Sequence, residues 1–156
     1  MFKMLIVLFA LFFAVPALTN AQDLPESEVP AVVIEKFDAS YGTANNVRWE
    51  RGENGNYVAV FVNDNFDSRI TYDPVGEIVM REVEADPSTL PDPVLKTFMS
   101  TYPDGTINSV TIMEDNSKTS RYRLDYLLNG ASSIVYYNSD GTVYQLDDSM
   151  MDRKTR

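Results

Sequence analysis

The chain has 156 residues, 23 Asp and Glu against 13 Lys and Arg, a formal charge of −10, and neither Cys nor His. That length suits one ordinary domain, or two small ones sharing a sheet, and is enough to bury a real core. The missing residue types exclude thiolate chemistry, Ser-His-Asp and Cys-His triads, disulfide staples and ordinary zinc or copper sites. The acidic balance argues against nucleic acid and anionic lipid as partners, because both need patches of Lys and Arg.

The chain opens with Lys3, an almost unbroken apolar run from Met4 to Ala17, and the small-residue stretch Thr19-Asn20-Ala21 before Gln22. This order reads as a cleavable signal peptide over residues 1–21, because the run is short for a bilayer span and ends at a small-residue site. Without cysteine there is no lipobox, so the expected destination is the periplasm or the exterior, with no stable membrane insertion after cleavage. Residues 22–28 form a polar lead-in, expected to be flexible.

From residue 29 the sequence follows one script twice. Val29-Pro30-Ala31-Val32-Val33-Ile34-Glu35-Lys36-Phe37 to Tyr41 returns as Leu90-Pro91-Asp92-Pro93-Val94-Leu95-Lys96-Thr97-Phe98 to Tyr102. Such internal similarity is the signature of a repeat architecture. Val33, Ile34, Phe37 and Tyr41 fall on one helical stripe, as do Val94, Leu95, Phe98 and Tyr102. Pro30 and Pro93 suit a first turn, Gly42 suits a left-handed cap, and Pro103 stops the second helix.

Period-2 segments follow each helix. In the first copy they are Val47–Glu50, Tyr57–Val62, Arg69–Tyr72 and Glu77–Val83; in the second, Val110–Ile112, Tyr122–Leu128, Ile134–Tyr137 and Thr142–Leu146. Turn signals separate them, among them Asn54-Gly55, Asp64-Asn65, Asp73-Pro74-Val75-Gly76, Asn129-Gly130 and Asp140-Gly141. The pattern predicts an α+β fold of two tandem αββββ repeats, with an antiparallel sheet of about eight strands and the helices packed on one face. The first repeat covers residues 29–84, a linker 85–89, the second repeat 90–148, and a flexible tail 149–156.

The second copy shows which strand face points inward. It keeps Tyr122, Leu124 and Tyr126 opposite Tyr57, Ala59 and Phe61, but puts Arg123 and Asp125 at the positions of Val58 and Val60. A side-chain period of two ties every residue of a strand to one face or the other, so charge marks the solvent face. The helix-facing set is therefore Trp49, Tyr57, Ala59, Phe61, Ile70 and Tyr72, with Val110, Ile112, Tyr122, Leu124, Tyr126, Val135 and Tyr137. The candidate partner-binding face carries Val58, Val60, Arg69, Arg123, Asp125, Ile134 and Tyr136, with Tyr144 added to an apolar patch.

Val29-Pro30, Phe37, Tyr41, Val47-Arg48-Trp49-Glu50, Tyr57-Val58-Ala59-Val60-Phe61 and Tyr72-Asp73-Pro74-Val75-Gly76 together resemble the PepSY-like beta-lactamase-inhibitor-like family of exported proteins from Bacteroidetes-type bacteria. The resemblance covers residues 22–156 once per repeat, although Ile112 stands where the first copy has Trp49, and Asn138 where it has Asp73. It implies tandem repeats whose sheets join into one curved sheet with the helices on one side. The activity in the family's name does not transfer with it, since fold does not imply function.

No catalytic, metal-binding or cofactor-binding residue is expected. Asn63-Asp64-Asn65-Phe66-Asp67 imitates the start of a calcium loop, but Ser68 occupies the glycine position and Pro74 that of the bidentate glutamate. Asp147/Asp148 and Glu82/Glu84 read as solvated charge at strand ends or in linkers rather than as a glycosidase pair. The expected function is that of an exported non-enzymatic binding protein that takes a protein or peptide on the open sheet face. Its alternatives are an inhibitor of an envelope or secreted hydrolase, and a structural or stress-related envelope protein without a discrete ligand.

Overall fold

The computed structural model describes residues 23–145. The proposed signal peptide, Leu146, Asp147, Asp148 and the tail lie outside the described residues. Among those described, the elements run β1 (Asp23–Leu24), α1 (Ala31–Tyr41), β2 (Asn45–Arg51), β3 (Tyr57–Asn63), β4 (Phe66–Tyr72) and β5 (Ile78–Ala85). They continue with α2 (Asp92–Thr101), β6 (Thr106–Asp115), β7 (Ser120–Leu128) and β8 (Ala131–Asn138). The strands form one antiparallel sheet in sequence order, β1 to β8.

Both helices lie on one side, and the register shows why. Phe61 pairs with Ser68, Ser68 with Val83, Val83 with Ile112, Ile112 with Tyr122 and Tyr122 with Tyr137. Cross-strand partners share a face, so this row carries the α1 side of β3 through to the α2 side of β8. Val33 and Phe37 of α1 close over Trp49, Ala59, Phe61, Ile70 and Tyr72. Val94 and Phe98 of α2 close over Val110, Leu124, Tyr126, Val135 and Tyr137. Aromatic geometry repeats as well: Phe37 stands edge-on to Phe61 at 84°, and Phe98 edge-on to Tyr126 at 84°. Ile112, expected in the core, is only half-buried because it lies at the seam between the two clusters.

Four expectations change. The eight strands are not the eight anticipated, since the lead-in supplies one: Asp23 pairs with Glu50 and Leu24 with Trp49, and Leu24 packs on the first core. Thr142–Leu146 does not form a fourth strand in the second copy within the described residues; a single bridge joins Tyr137 to Val143. Ala85, expected in the linker, is the last residue of β5, paired with Val110. Gly42 is right-handed (φ −62°) rather than left-handed. Its small size still matters there, because a Cβ would meet the Asp38 carbonyl oxygen at 2.7 Å.

The Tyr-Asp-x-x-Gly signal has a packing reason. Gly76 and Gly141 sit at equivalent turns with φ of +85° and +84°, and a Cβ would lie 3.2 Å from the Val32 carbonyl oxygen in one copy and 2.5 Å from that of Pro93 in the other. Each turn is thus pressed against the first turn of its own helix, which fixes the helix over its strands. Gly130 is equally left-handed (φ +80°) but has open space around its Cβ position. Gly141→Ala is expected to cost about 2–3 kcal/mol in urea unfolding, and Gly130→Ala about 1 kcal/mol, the conformational cost alone.

Tyr72 and Tyr137 occupy equivalent, fully buried positions, and burial pushes both phenols up to about 12. A raised folded value means that the stability is complete below the unfolded phenol's value near 10, and falls as pH rises through the folded value. Urea midpoints measured from pH 9 to 12 should drop over that window. A Tyr72→Phe/Tyr137→Phe variant, which keeps both rings, should show a shallower drop.

Candidate functional site

The side of the sheet away from the helices is built by the alternate residues of the same strands. Val60 pairs with Arg69, Arg69 with Glu82, Glu84 with Thr111, Thr111 with Arg123, Arg123 with Tyr136, and Asp125 with Ile134. All seven residues expected on the partner-binding face are therefore on this one side. The face curves enough that residues from β2 to β7 line a single groove of about 790 Å³. Val60, Arg69, Arg123 and Asp125 line it; Val58, Ile134 and Tyr136 do not.

The face is charged rather than apolar. Val58 is 3% exposed and Met80 8% exposed, so neither offers surface to a partner. Tyr144 is covered by the Arg121 guanidinium, 4.4 Å from its ring centre. Ile134 remains 42% exposed near the rim, next to the exposed Leu127. The expected contiguous apolar patch of Val58, Val60, Ile134, Tyr136 and Tyr144 is thus broken up.

Its organising group is one that sequence reasoning missed. Glu50 lies on β2 with only 2% of its surface exposed. Its carboxylate is held by the Arg48 guanidinium on one side and by Arg69 Nη2 at 2.7 Å on the other. Burying a carboxylate is costly unless it is paired, and two guanidiniums meet that requirement here. Arg48 also reaches Asp23 of β1 at 3.5 Å, and Arg69 reaches Glu82 of β5 at 3.8 Å. The chain of charges runs from the edge strand to the middle of the sheet.

Glu50 could have been suspected from the register alone: it shares a face with Arg48 in the alternating Val47-Arg48-Trp49-Glu50 segment. Its depth follows from its place between two strands, paired with Asp23 of β1 and Val58 of β3; upstream, a bulge lies between Asn45 and Arg48, with Asn46 at φ 55°. The same irregularity turns Val47 outward, leaving it 39% exposed, whereas strict alternation would put it beside Trp49 in the core.

On β7, Arg123 Nη2 donates to Asp125 Oδ1 at 2.6 Å. Glu82 and Glu84, expected as solvated charge at a strand end, both line the groove from inside β5. At the far end of β6, Asp115 caps its own turn by accepting from Ser117, and it pairs with Arg121 at 2.9 Å. The Ser117 hydroxyl bond, with the backbone N–H groups and Arg121, holds its carboxyl well down, at about 2. That geometry stabilises a turn and sets no reaction. Among the described residues, no group of His, Cys, Asp and Glu side chains is arranged to hold a metal ion.

Removing Glu50 leaves two guanidiniums without their shared counter-charge. Glu50→Ala should cost about 2 kcal/mol in urea unfolding, below the usual figure for a fully buried pair because Arg48 and Arg69 can return to water. Arg48→Ala should cost less, about 1 kcal/mol, since Arg69 still holds the carboxylate.

No protein-family model matches the chain, and no curated protein matches it. Solved structures do match. A DUF2874 family protein from Bacteroides uniformis is 22% identical with a TM-score of 0.66, over 74% of this chain and 86% of its own. A BLIP-like protein from Bacteroides fragilis is 24% identical with a TM-score of 0.61, over 78% and 85%. A candidate periplasmic protein from Bacteroides eggerthii is 22% identical with a TM-score of 0.67, over 75% and 86%. At such identities the likeness is one of fold: this chain has the BLIP-like, DUF2874-type architecture.

Proposed function

We propose that this chain is an exported, non-enzymatic binding protein that takes a protein or peptide on the concave face of its sheet. The observation that carries this reading is the groove of about 790 Å³ on the face that the helices leave open. It is walled by strands rather than loops, so its residues are held rigidly. Its arginines are already engaged with carboxylates, a pattern that keeps an open face soluble until a partner of matching shape and charge covers it. Export rests on the order of residues 1–21 and is in keeping with the candidate periplasmic protein that shares the fold. The PepSY-like part of the family resemblance belongs to the same proposal.

The inhibitor alternative would need protruding turns that enter a catalytic cleft. Asp140-Gly141 is unsuited to that role, being pressed on the Pro93 carbonyl of α2. Asp64-Asn65 is an exposed hairpin tip with both residues left-handed, and its Asp64 carboxylate accepts from the neighbouring Asn63 Nδ2 at 3.3 Å.

A photo-crosslinking amino acid placed at Val60 or Ser109, both in the groove, should join the chain to a discrete partner in intact cells. The same group at Met99, exposed on α2 at 61%, should not. Equal crosslinking from both faces would remove the groove from consideration. Val58 is unsuitable for such a test because it is buried, and a charge there would report on folding.

A further inference from the structure

We propose that the groove receives a basic, extended segment of a partner protein, with a Lys or Arg side chain seated at Asp67 and Glu84. This rests on the groove being the binding face and adds the chemistry of what it binds. Three guanidiniums line the groove, and each is already engaged: Arg48 with Asp23 and Glu50, Arg69 with Glu50 and Glu82, Arg123 with Asp125. Each guanidinium in the groove therefore has a counter-charge of its own, although the buried Arg123 Nε donates to no partner among the described residues.

Two carboxylates are left over. Asp67 and Glu84 line the groove, and neither has a hydrogen bond or ion pair among the described residues. The register that pairs Ser68 with Val83 and Arg69 with Glu82 brings Asp67 of β4 and Glu84 of β5 to neighbouring positions on the same face at the next step. Like charges set across two strands repel, and a cation between them reverses that sign. Glu84 is half-buried, where water screens such an interaction less than at a fully exposed site.

Charge also selects among occupants. The chain carries −10 overall, so a second copy would bring its own excess of carboxylates to the same face and be repelled. Nucleic acid and anionic lipid fail for the same reason. Val60 and Val62, half-buried beside the carboxylates, give the methylenes of a Lys or Arg an apolar surface to lie on. Adjacent strands lie about 4.8 Å apart, so the groove from β2 to β7 runs across roughly 24 Å, the length of an extended segment of about seven residues.

The test uses the chain as recovered from cells grown on ¹⁵N, titrated with three blocked heptapeptides that alternate Ala with Arg, with Glu, or with Ser. The Arg peptide is expected to shift the amide signals of Asp67, Glu84, Ser109 and Thr111. Asp67→Asn/Glu84→Gln should raise its Kd at least tenfold, and 0.5 M NaCl should weaken it similarly, with the remaining spectrum unchanged as proof of folding. If the Glu or Ser peptide binds the groove as well as the Arg peptide does, the cationic specificity is wrong while the binding face stands. If none of the three shifts the groove residues, both readings fall. If the Arg peptide binds only after Arg153, Lys154 and Arg156 are replaced by Ala, the occupant is this chain's own terminus, and the proposal of a partner segment is overturned.

Discussion

The pairing of β5 with β6 is the constraint on which the remaining structure depends. Six residue pairs, from Met80–Asp115 to Ala85–Val110, join the last strand of the first helix-sheet unit to the first strand of the second. The join preserves the face on which each side chain lies, so both helices must settle on the same side. A slip by one residue would turn the second core outward and send α2 to the opposite face. It follows that the other side is left open from β2 to β7, and that its curvature gathers residues from both units into one groove. Neither unit alone would make that groove.

On the helix side, the seam between the units sets one ion pair beside the apolar pairs Val83–Ile112 and Ala85–Val110. Arg81 of β5 pairs with Glu114 of β6 at 2.9 Å and also meets the Tyr41 hydroxyl from α1. The two apolar clusters stay separate, with an ion pair between them. On the open side, charge is again arranged in linked pairs, Asp23–Arg48–Glu50–Arg69–Glu82. In so acidic a chain, these arginines stand where carboxylates are crowded or buried. What that arrangement leaves unmatched is then informative, because Asp67 and Glu84 stand in the groove without any of those arginines.

Much of the fold was legible because two periodicities were written twice. Val33 with Phe37, and Val94 with Phe98, are the buried pairs of their helices, and alternation assigned Ala59, Ile70, Tyr72, Leu124 and Tyr137 to the core. The contrast of Val58 and Val60 with Arg123 and Asp125 identified the open face, since a charged substitution is tolerated only toward solvent. What escaped was non-local or irregular. Asp23-Leu24 is too short to show a pattern and becomes a strand only because the edge of β2 accepts it. Gly42 looked like a left-handed cap because glycine permits that conformation, whereas here the need is for space beside Asp38.

The sequence by itself determined most of both helix stripes (Leu95 of the second is exposed), the inward and outward faces of the strands, and the residues available for chemistry, which exclude His and Cys. Those depend on local period and composition, and no distant contact can alter them. The tertiary structure alone decided that the two sheets are one, that Glu50 is buried between Arg48 and Arg69, and that Asp67 and Glu84 meet in one groove while Val58 is hidden. Each of these turns on strand pairing and sheet curvature, which bring together residues far apart in the chain.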